Sequence, residues 1–139
     1  MTKNYDIRYT GDLRCEAIHL KSGSMLETDA PIDNNGKGER FSPTDLVAAA
    51  LVTCILTVVG IHFKNKGKML KPIDCGAQKI MVANPRRIQE IKLEFDFGDN
   101  EFSPEEFKLI DHLVLNCPVS DSLSKDIVIS SNVSSFYSL

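Results

Sequence analysis

Four cysteines are the residues of this 139-residue chain whose chemistry stands out, and they are well separated: Cys15, Cys54, Cys75 and Cys117. No two of them form a CxxC pair, and the three histidines add no metal-ligand spacing: His19, His62 and His112. Zinc-finger and thioredoxin-type sites depend on such close pairs. The spacing therefore gives no support to either site, and it leaves open whether any of the thiols is reactive.

Local sequence context ranks Cys117 above Cys54 in reactivity. Cys54 lies in the middle of a long apolar segment, where it gains nothing from a helix dipole and is expected to be a buried structural residue. Cys117 precedes a proline that can open a short helix, and the free amides ahead of an N-cap favour a thiolate. The alternative is that Cys117 merely packs before Pro118. Cys15 and Cys75 lie in strand-like segments and are expected to pack.

Periodicity and turn residues predict the elements that position these cysteines. Alternating segments predict strands near residues 5–9, 13–20, 25–29, 73–82, 88–97 and 127–136. Two helix starts share a serine N-cap followed by proline and an acid, Ser42-Pro43-Thr44-Asp45 and Ser103-Pro104-Glu105-Glu106. Pro118 is expected to end the second helix and to begin a further short one. The predicted order is βββ-α-ββ-αα-β, a single α+β domain over residues 1–139.

The segment from Leu46 to Phe63 carries no formal charge over eighteen residues. This length reaches the threshold of roughly 18–20 residues for a membrane span. Two threonines, a glycine and a histidine interrupt it, and the chain has no second such segment, so a buried central helix is expected instead. One layer of sheet in so short a chain would not cover that helix on all sides, which predicts a partner subunit.

Composition excludes several functional classes. Sixteen Lys and Arg residues against nineteen Asp and Glu residues give a net charge of -3, which argues against a protein that binds nucleic acid through phosphate contacts. The N-terminal residues show no apolar segment typical of a secretory signal. We therefore expect a cytoplasmic protein, in a reducing environment, with free thiols.

Two segments together resemble the OsmC/Ohr family, the osmotically inducible protein C and organic hydroperoxide resistance proteins. The helix-opening motif is Phe41-Ser42-Pro43-Thr44-Asp45-Leu46-Val47-Ala48-Ala49-Ala50-Leu51-Val52-Thr53-Cys54, and the second motif is Asn116-Cys117-Pro118-Val119-Ser120-Asp121-Ser122-Leu123. The order of elements also resembles that of the family, so the resemblance extends over nearly the whole chain. It implies an intertwined homodimer in which sheets from both subunits enclose two long central helices.

The resemblance also implies roles for individual residues. Cys54 would be the peroxidatic thiol and Cys117 the resolving thiol, which reverses the ranking from local context. In peroxidase members an arginine from the N-terminal strands stabilises the thiolate and is held by a glutamate that follows the helix-motif proline. Arg14 is the first candidate for that arginine and Arg40 the second. Thr44 occupies the place of the glutamate, and Asp45 lies about 100° further around the helix, so Asp45 is expected to cap the helix instead.

The expected function is a thiol-dependent peroxidase that reduces organic hydroperoxides through Cys54 and Cys117, with hydrogen peroxide as a second candidate substrate. By resemblance it would use an external dithiol, of lipoyl type in some members, and no metal, flavin or haem. The expected partners are a second copy of the chain and small-molecule substrates, with neither nucleic acid nor membrane. The missing glutamate keeps an alternative open, a non-catalytic dimer that binds a hydrophobic ligand or senses oxidation.

Overall fold

Six strands and three α-helices follow one another in the predicted order within residues 1–138, the part of the chain that the computed structural model describes. The strands are β1 (Tyr5–Gly11), β2 (Arg14–His19), β3 (Met25–Asp29), β4 (Asp74–Val82), β5 (Arg87–Asp96) and β6 (Val128–Ser131). The helices are α1 (Pro43–Asn65), α2 (Pro104–Val114) and α3 (Pro118–Ser122), with short 3-10 turns at Ile32–Asn34 and Val133–Phe136. The predicted α+β class and element order are confirmed.

The closing strand is shorter than the prediction of residues 127–136. Strand β6 ends at Ser131, and a 3-10 turn replaces its second half. The side chain of Asn132 explains the change, because its amide donates to the Phe95 carbonyl oxygen (3.0 Å) and its oxygen accepts from the Phe95 N–H (2.7 Å). One side chain thus satisfies the backbone of β5 where a longer strand would have paired.

The chain divides into two compact units, residues 1–47 and the part from Ala48 onward. In the first unit, β1, β2 and β3 form an antiparallel meander in that order. Alternation along β1 places three apolar side chains on one face, and they are largely exposed: Tyr5 (57%), Ile7 (71%) and Tyr9 (62%). Leu26 on β3 is also exposed and lies opposite Ala17, which itself pairs with Ile7. This unit therefore presents an open apolar sheet face.

In the second unit, β4 pairs antiparallel with β5, and β5 pairs in parallel with β6. Two successive residues of β4, Ile80 and Met81, face Glu90 and Ile88 of β5, so β5 carries one extra residue at a bulge. The bulge resets the alternation of side chains. It keeps Ile88 and Ile91 both buried, together with Leu93 and Phe95 further along β5.

Helix α1 begins and ends as its sequence predicts. The Asp45 N–H donates to the Ser42 hydroxyl (3.1 Å), and the Ser42 N–H donates to the Asp45 carboxylate (2.9 Å), which completes a capping box. At the other end Gly67 adopts a positive φ of 77°, as is common just after a helix. Asp45 therefore caps the helix, as expected.

A stripe of apolar side chains along α1 is buried: Ala48, Leu51, Val52, Ile55, Val59 and Phe63. By length and composition alone this helix is apolar enough to cross a membrane, and 33% of its most apolar window is buried inside the chain. Its far end contacts the residues before α2, since the Phe63 and Phe102 rings lie 5.1 Å apart, and Lys68, just beyond α1, pairs with Glu106 of α2 (3.3 Å). The other apolar residues of α1 are half-buried or exposed.

Candidate active site

The first element of the candidate site is the middle of α1, which carries Cys54. Residues one turn away are small or aliphatic, Ala50 and Val58, and Leu51 next to Cys54 on the helix surface is fully buried. Cys54 itself is partly exposed. The helix therefore presents this thiol at the edge of the packed region, where a small molecule can reach it.

The second element is the start of α3, where Cys117 is the N-cap. Its backbone is extended (φ -122°, ψ 161°), because the residue before a proline is disfavoured in the α region, and Pro118 then opens the helix. The side chain of Cys117 is buried, with 1% exposed. The predicted N-cap position of Cys117 is thus present in the structure.

The fold brings Cys54 and Cys117 together. Each thiol acts on the pKa of the other, so the two side chains lie close together, and the backbone N–H of Val119 acts on both. The two thiols differ in access to solvent, because Cys54 is partly exposed and Cys117 is buried. Both are free thiols, and their contact allows a disulfide to form between them.

The environment separates the pKa values of the two thiols. Burial raises the pKa of Cys54, the Val119 N–H opposes this, and the neighbouring Cys117 raises it further. Burial also acts to raise the pKa of Cys117, but hydrogen bonds from Ser120, Cys54 and Val119 outweigh it and lower that pKa. The direction for Cys117 agrees with the ranking from local sequence.

Arg14 is held firmly within the first unit. Its guanidinium makes two hydrogen bonds to the buried carboxylate of Asp29 (2.7 and 2.8 Å) and one to Glu39 (3.2 Å). The Asp29 carboxylate also accepts the Glu39 N–H (3.1 Å), and these contacts, led by the Arg14 hydrogen bonds, hold its pKa below the ordinary value. Arg14 is therefore fixed in one orientation, while its role toward the Cys54 thiolate stays a prediction.

Arg40 and Thr44 complete the set of residues singled out from the sequence. Arg40 donates to Glu27 (3.2 Å) and to the backbone carbonyl of Glu39 (3.0 Å). The Thr44 hydroxyl lies 3.3 Å from that of Ser42 at the start of α1. Both side chains are thus engaged within the first unit.

Sequence reasoning missed Asp29 and Ser120. Asp29 lies directly opposite Arg14 in the β2–β3 register, so counting back from the turn at residues 22–24 would have found the pair. Ser120 occupies the third position after the Cys117 N-cap, which is the place of the reciprocal residue in a capping box. Both signals are present in the sequence once the hairpin register and the short helix are known.

The remaining cysteines lie in strands. Cys75 on β4 is opposite Phe95, and burial raises its pKa to about 11, while Cys15 on β2 is opposite Tyr9 and Thr28. Across residues 1–138, no cluster of three or more His, Cys, Asp or Glu side chains could hold a metal ion. Neither strand thiol is among the groups that act on the pKa of Cys54 or Cys117.

The ion pair of Asp29 predicts a specific pH dependence of stability. Because the folded-state pKa of Asp29 is lowered, its contribution is present above the ordinary aspartate pKa of about 4 and is lost as the pH falls through the folded-state value. Asp29→Asn should therefore be less stable than wild type at neutral pH, with the difference in unfolding free energy fading in acid. Urea denaturation as a function of pH measures this.

The control for that series is Asp12→Asn, since the Asp12 side chain is 85% exposed in the same unit and its 3.8 Å ion pair with Lys37 is open to solvent, where such pairs contribute little. It should match wild type throughout. A deficit of Asp29→Asn that stayed constant from neutral to acid pH would show that lost packing, rather than the charge, is responsible.

Taken together, fold and site define an α+β protein with a partly exposed thiol on a long helix in contact with a buried second thiol. The family model described as OsmC-like protein matches residues 36–132. The chain belongs to the OsmC-like protein family. A comparison with curated protein sequences gave no match.

Solved structures show the same fold over almost the whole chain. A protein of Psychrobacter arcticus 273-4, described provisionally as an osmotic stress induced and detoxification response protein, is 38% identical (TM-score 0.89, 94% of this chain and 95% of that chain). The organic hydroperoxide resistance protein OsmC of Legionella pneumophila is 13% identical (TM-score 0.72, 94% and 96%). The organic hydroperoxide resistance protein OhrB of Bacillus subtilis is 14% identical (TM-score 0.62, 94% and 96%).

Proposed function

We propose that this protein is a thiol-dependent peroxidase that reduces organic hydroperoxides through Cys54 and Cys117. The observation that carries the proposal is the contact between a partly exposed and a buried thiol. A peroxide can reach Cys54, whereas Cys117 is placed to react only with its neighbour. Membership of the OsmC-like family, which includes hydroperoxide resistance proteins, supports the same chemistry.

The reaction divides between the two sulfurs. The Cys54 thiolate attacks one peroxide oxygen, the O–O bond breaks, and the departing alkoxide takes up a proton to become the alcohol. Cys117 then attacks the sulfenic acid on Cys54, which forms the disulfide and releases water after proton transfer. An external dithiol, for which a lipoyl-type compound is the proposed class, reduces the disulfide, and a reducing cytoplasm would supply it.

The surroundings of Cys54 favour organic over hydrogen peroxide. Ala50 and Val58, each one turn of α1 away from Cys54, provide apolar surface near the thiol. An alkyl or aryl group can cover this surface, and a hydrogen peroxide molecule cannot. Arg14, fixed by Asp29, is the proposed group that stabilises the Cys54 thiolate. Such a cation would offset the raised pKa that Cys54 has beside Cys117.

We propose that the working form is a homodimer. The first unit presents an apolar sheet face that includes Tyr5, Ile7 and Leu26, and two thirds of the most apolar window of α1 is not buried. Exposed apolar surface of this extent is typical of an interface. A second copy of the chain offers the same apolar surfaces and would cover both.

Ile7→Glu should dissociate that dimer. Each copy would lose about 2 kcal/mol of apolar burial, so that the dissociation constant rises about a thousandfold, and sedimentation should show monomer at micromolar concentration. Arg8→Gln is the control, because Arg8 lies on the other face of β1. A wild-type protein that sediments as a monomer at that concentration would contradict the dimer.

A redox sensor is the second candidate function. Thr44 in place of the family glutamate, together with the raised pKa of Cys54, favours a slow reaction with peroxide. A sensor would form the same disulfide once and would await reduction without rapid turnover. The two functions share the thiol pair and differ in rate.

A peroxide titration followed by a turnover assay tests the proposal and separates the candidates. One equivalent of cumene hydroperoxide should consume two thiols and lower the intact mass by two hydrogens. Dihydrolipoamide should then support many rounds of peroxide reduction. Disulfide formation without turnover by any dithiol would favour the sensor, and unchanged thiols after peroxide would contradict both.

A further inference from the structure

The guanidinium of Arg14 is only partly occupied by its neighbours. Its Nε–H and one Nη2–H donate to the two oxygens of the Asp29 carboxylate (2.7 and 2.8 Å), and the second Nη2–H donates to Glu39 (3.2 Å). The N–H groups of Nη1 have no hydrogen-bond partner within residues 1–138. The edge that Nη1 and Nη2 share is therefore half occupied, and this is an edge at which a guanidinium can bind an anion.

The two carboxylates bind Arg14 in different ways. The Asp29 side chain is fully buried and accepts the Glu39 N–H (3.1 Å) in addition to its two bonds from Arg14. The Asp29 N–H also donates to the Phe41 carbonyl oxygen (3.1 Å), which ties the end of β3 to the start of α1. The Glu39 side chain, in contrast, is 61% exposed and accepts a single hydrogen bond from the guanidinium. Asp29 is thus a fixed partner of Arg14, whereas water or another anion can replace Glu39.

The buried pair of Arg14 and Asp29 determines direction more than it adds stability. A buried ion pair gains little net free energy, because the lost hydration of both charges offsets their attraction. Two parallel hydrogen bonds to one carboxylate do fix the plane of a guanidinium. Asp29 therefore sets the direction in which the Nη1–Nη2 edge of Arg14 points.

The charges around Arg14 oppose an anion at that edge as long as Glu39 remains there. Asp29 and Glu39 together outnumber the single positive charge of Arg14. Glu27 also acts on Arg14, but it pairs with Arg40 (3.2 Å), so the charges of Glu27 and Arg40 offset each other. A further anion is therefore repelled while Glu39 is bonded to Nη2, and it can take both donors once Glu39 has moved into solvent.

We propose that the two carboxylates act in opposite directions on the Cys54 thiolate. Asp29 is a positioning residue that directs the Nη1–Nη2 edge of Arg14, the edge that stabilises the thiolate. Glu39 occupies half of that edge and keeps a second negative charge beside it, so it weakens the stabilisation. This inference rests on the proposed role of Arg14 toward Cys54 and adds the two residues that set its strength.

Charge and orientation predict different signs for Asp29. Asp29→Asn and Glu39→Gln each remove one negative charge next to Arg14, and if charge alone mattered both would favour the thiolate. Without the Asp29 carboxylate, however, Arg14 is free to turn toward Glu39, and the thiolate loses its partner. The two substitutions should therefore have opposite effects. Neither a general electrostatic effect nor a general loss of structure would produce that result.

The test is the rate of Cys54 alkylation by iodoacetamide as a function of pH, which requires no peroxide. A Cys15→Ser, Cys75→Ser, Cys117→Ser background leaves Cys54 as the only thiol, and the rate follows its thiolate fraction. Glu39→Gln should speed alkylation about threefold at neutral pH, and this gain should fade at about 0.5 M salt because Glu39 is exposed. Asp29→Asn should slow alkylation about fivefold and shift the profile to higher pH.

Three further variants serve as controls. Arg14→Lys keeps the charge but loses the fork of donors, so it should slow alkylation even if Asp29→Asn fails to fold. Asp6→Asn removes an exposed charge that pairs with Lys3 in the same unit, and it should leave the rate unchanged. In an Arg14→Ala background Glu39→Gln should lose most of its effect, since Glu39 acts through Arg14.

The signs of the two effects decide the outcome. Alkylation that is faster in both Asp29→Asn and Glu39→Gln, or slower in both, would overturn the inference. Unchanged rates in both would overturn it together with the proposed role of Arg14. If the wild type reduced no peroxide, the proposed function would fail, and opposite signs in the alkylation rates would still support the roles of Asp29 and Glu39.

Discussion

Cys54→Ser is expected to lower the rate of peroxide reduction at least about a thousandfold, the largest functional effect of any single substitution in this chain. A serine hydroxyl is a far weaker nucleophile toward peroxide than a thiolate, and no other thiol is both exposed to solvent and in contact with Cys117 among residues 1–138. Stopped-flow consumption of cumene hydroperoxide by the reduced protein measures the rate.

Cys117→Ser provides the contrast to that variant. It should still react once at Cys54 and should accumulate a sulfenic or over-oxidised species, which intact mass detects. Cys75→Ser is the control, because Cys75 on β4 pairs with Phe95 of β5 and is not among the groups that act on the pKa of Cys54 or Cys117. Oxidation of Cys54→Ser as fast as wild type would contradict this assignment of roles. Cys117, the thiol with the lower pKa, would then be the one that reacts with peroxide.

Phe97→Ala is expected to be the most destabilising core substitution. Phe97 is 5% exposed, and its ring lies between 5.1 and 5.6 Å from four other rings: Phe95, Phe102, Phe107 and Phe136. Removing it leaves a cavity between the end of β5, α2 and the C-terminal turn. The free energy of unfolding should fall by about 3–5 kcal/mol, a large part of the 5–15 kcal/mol typical of a domain.

Urea denaturation at a fixed protein concentration measures this loss, since an oligomer gains stability with concentration. Phe41→Ala is the control, because the Phe41 side chain is 57% exposed. It should cost little. A loss below about 1 kcal/mol in Phe97→Ala would show that the phenylalanine rings around Phe97 do not hold the second unit together.

The helix starts were predictable from the sequence because their causes are local. Serine, proline and an acid within four residues determine where α1 and α2 begin, and Pro118 places Cys117 outside the helix that it caps. The local sequence also predicted that the N-cap position favours the Cys117 thiolate, which agrees with the lowered pKa of this thiol. Local reasoning worked wherever the donors and acceptors lie within one turn.

Contacts between distant segments could not be predicted in this way. The residues near Asn132 in the sequence do not predict that its side chain pairs with the backbone of Phe95 and ends β6 early. The meeting of Cys54 and Cys117 depends equally on how α1 packs beside the start of α3. The family resemblance implied that pairing, and the structure supplies the contact between the two side chains.

Local sequence context favoured Cys117 as the more reactive cysteine, whereas the family resemblance favoured Cys54. The structure gives each prediction a physical basis. Hydrogen bonds from Ser120 and Val119 favour charge on Cys117, whereas exposure to solvent favours Cys54 as the thiol that meets a substrate. The two properties are thus divided within the pair: the sulfur that is better stabilised as an anion is buried, and the partly exposed sulfur lies on α1.

Mapping the disulfide formed by peroxide tests the central claim most directly. Reduced protein would be treated with one equivalent of cumene hydroperoxide, alkylated, digested without reduction and analysed by mass spectrometry. We expect one linked peptide pair that joins Cys54 to Cys117 within a single chain, with Cys15 and Cys75 alkylated. A disulfide that includes Cys15 or Cys75, or free alkylated Cys54 and Cys117 after the peroxide is consumed, would contradict it.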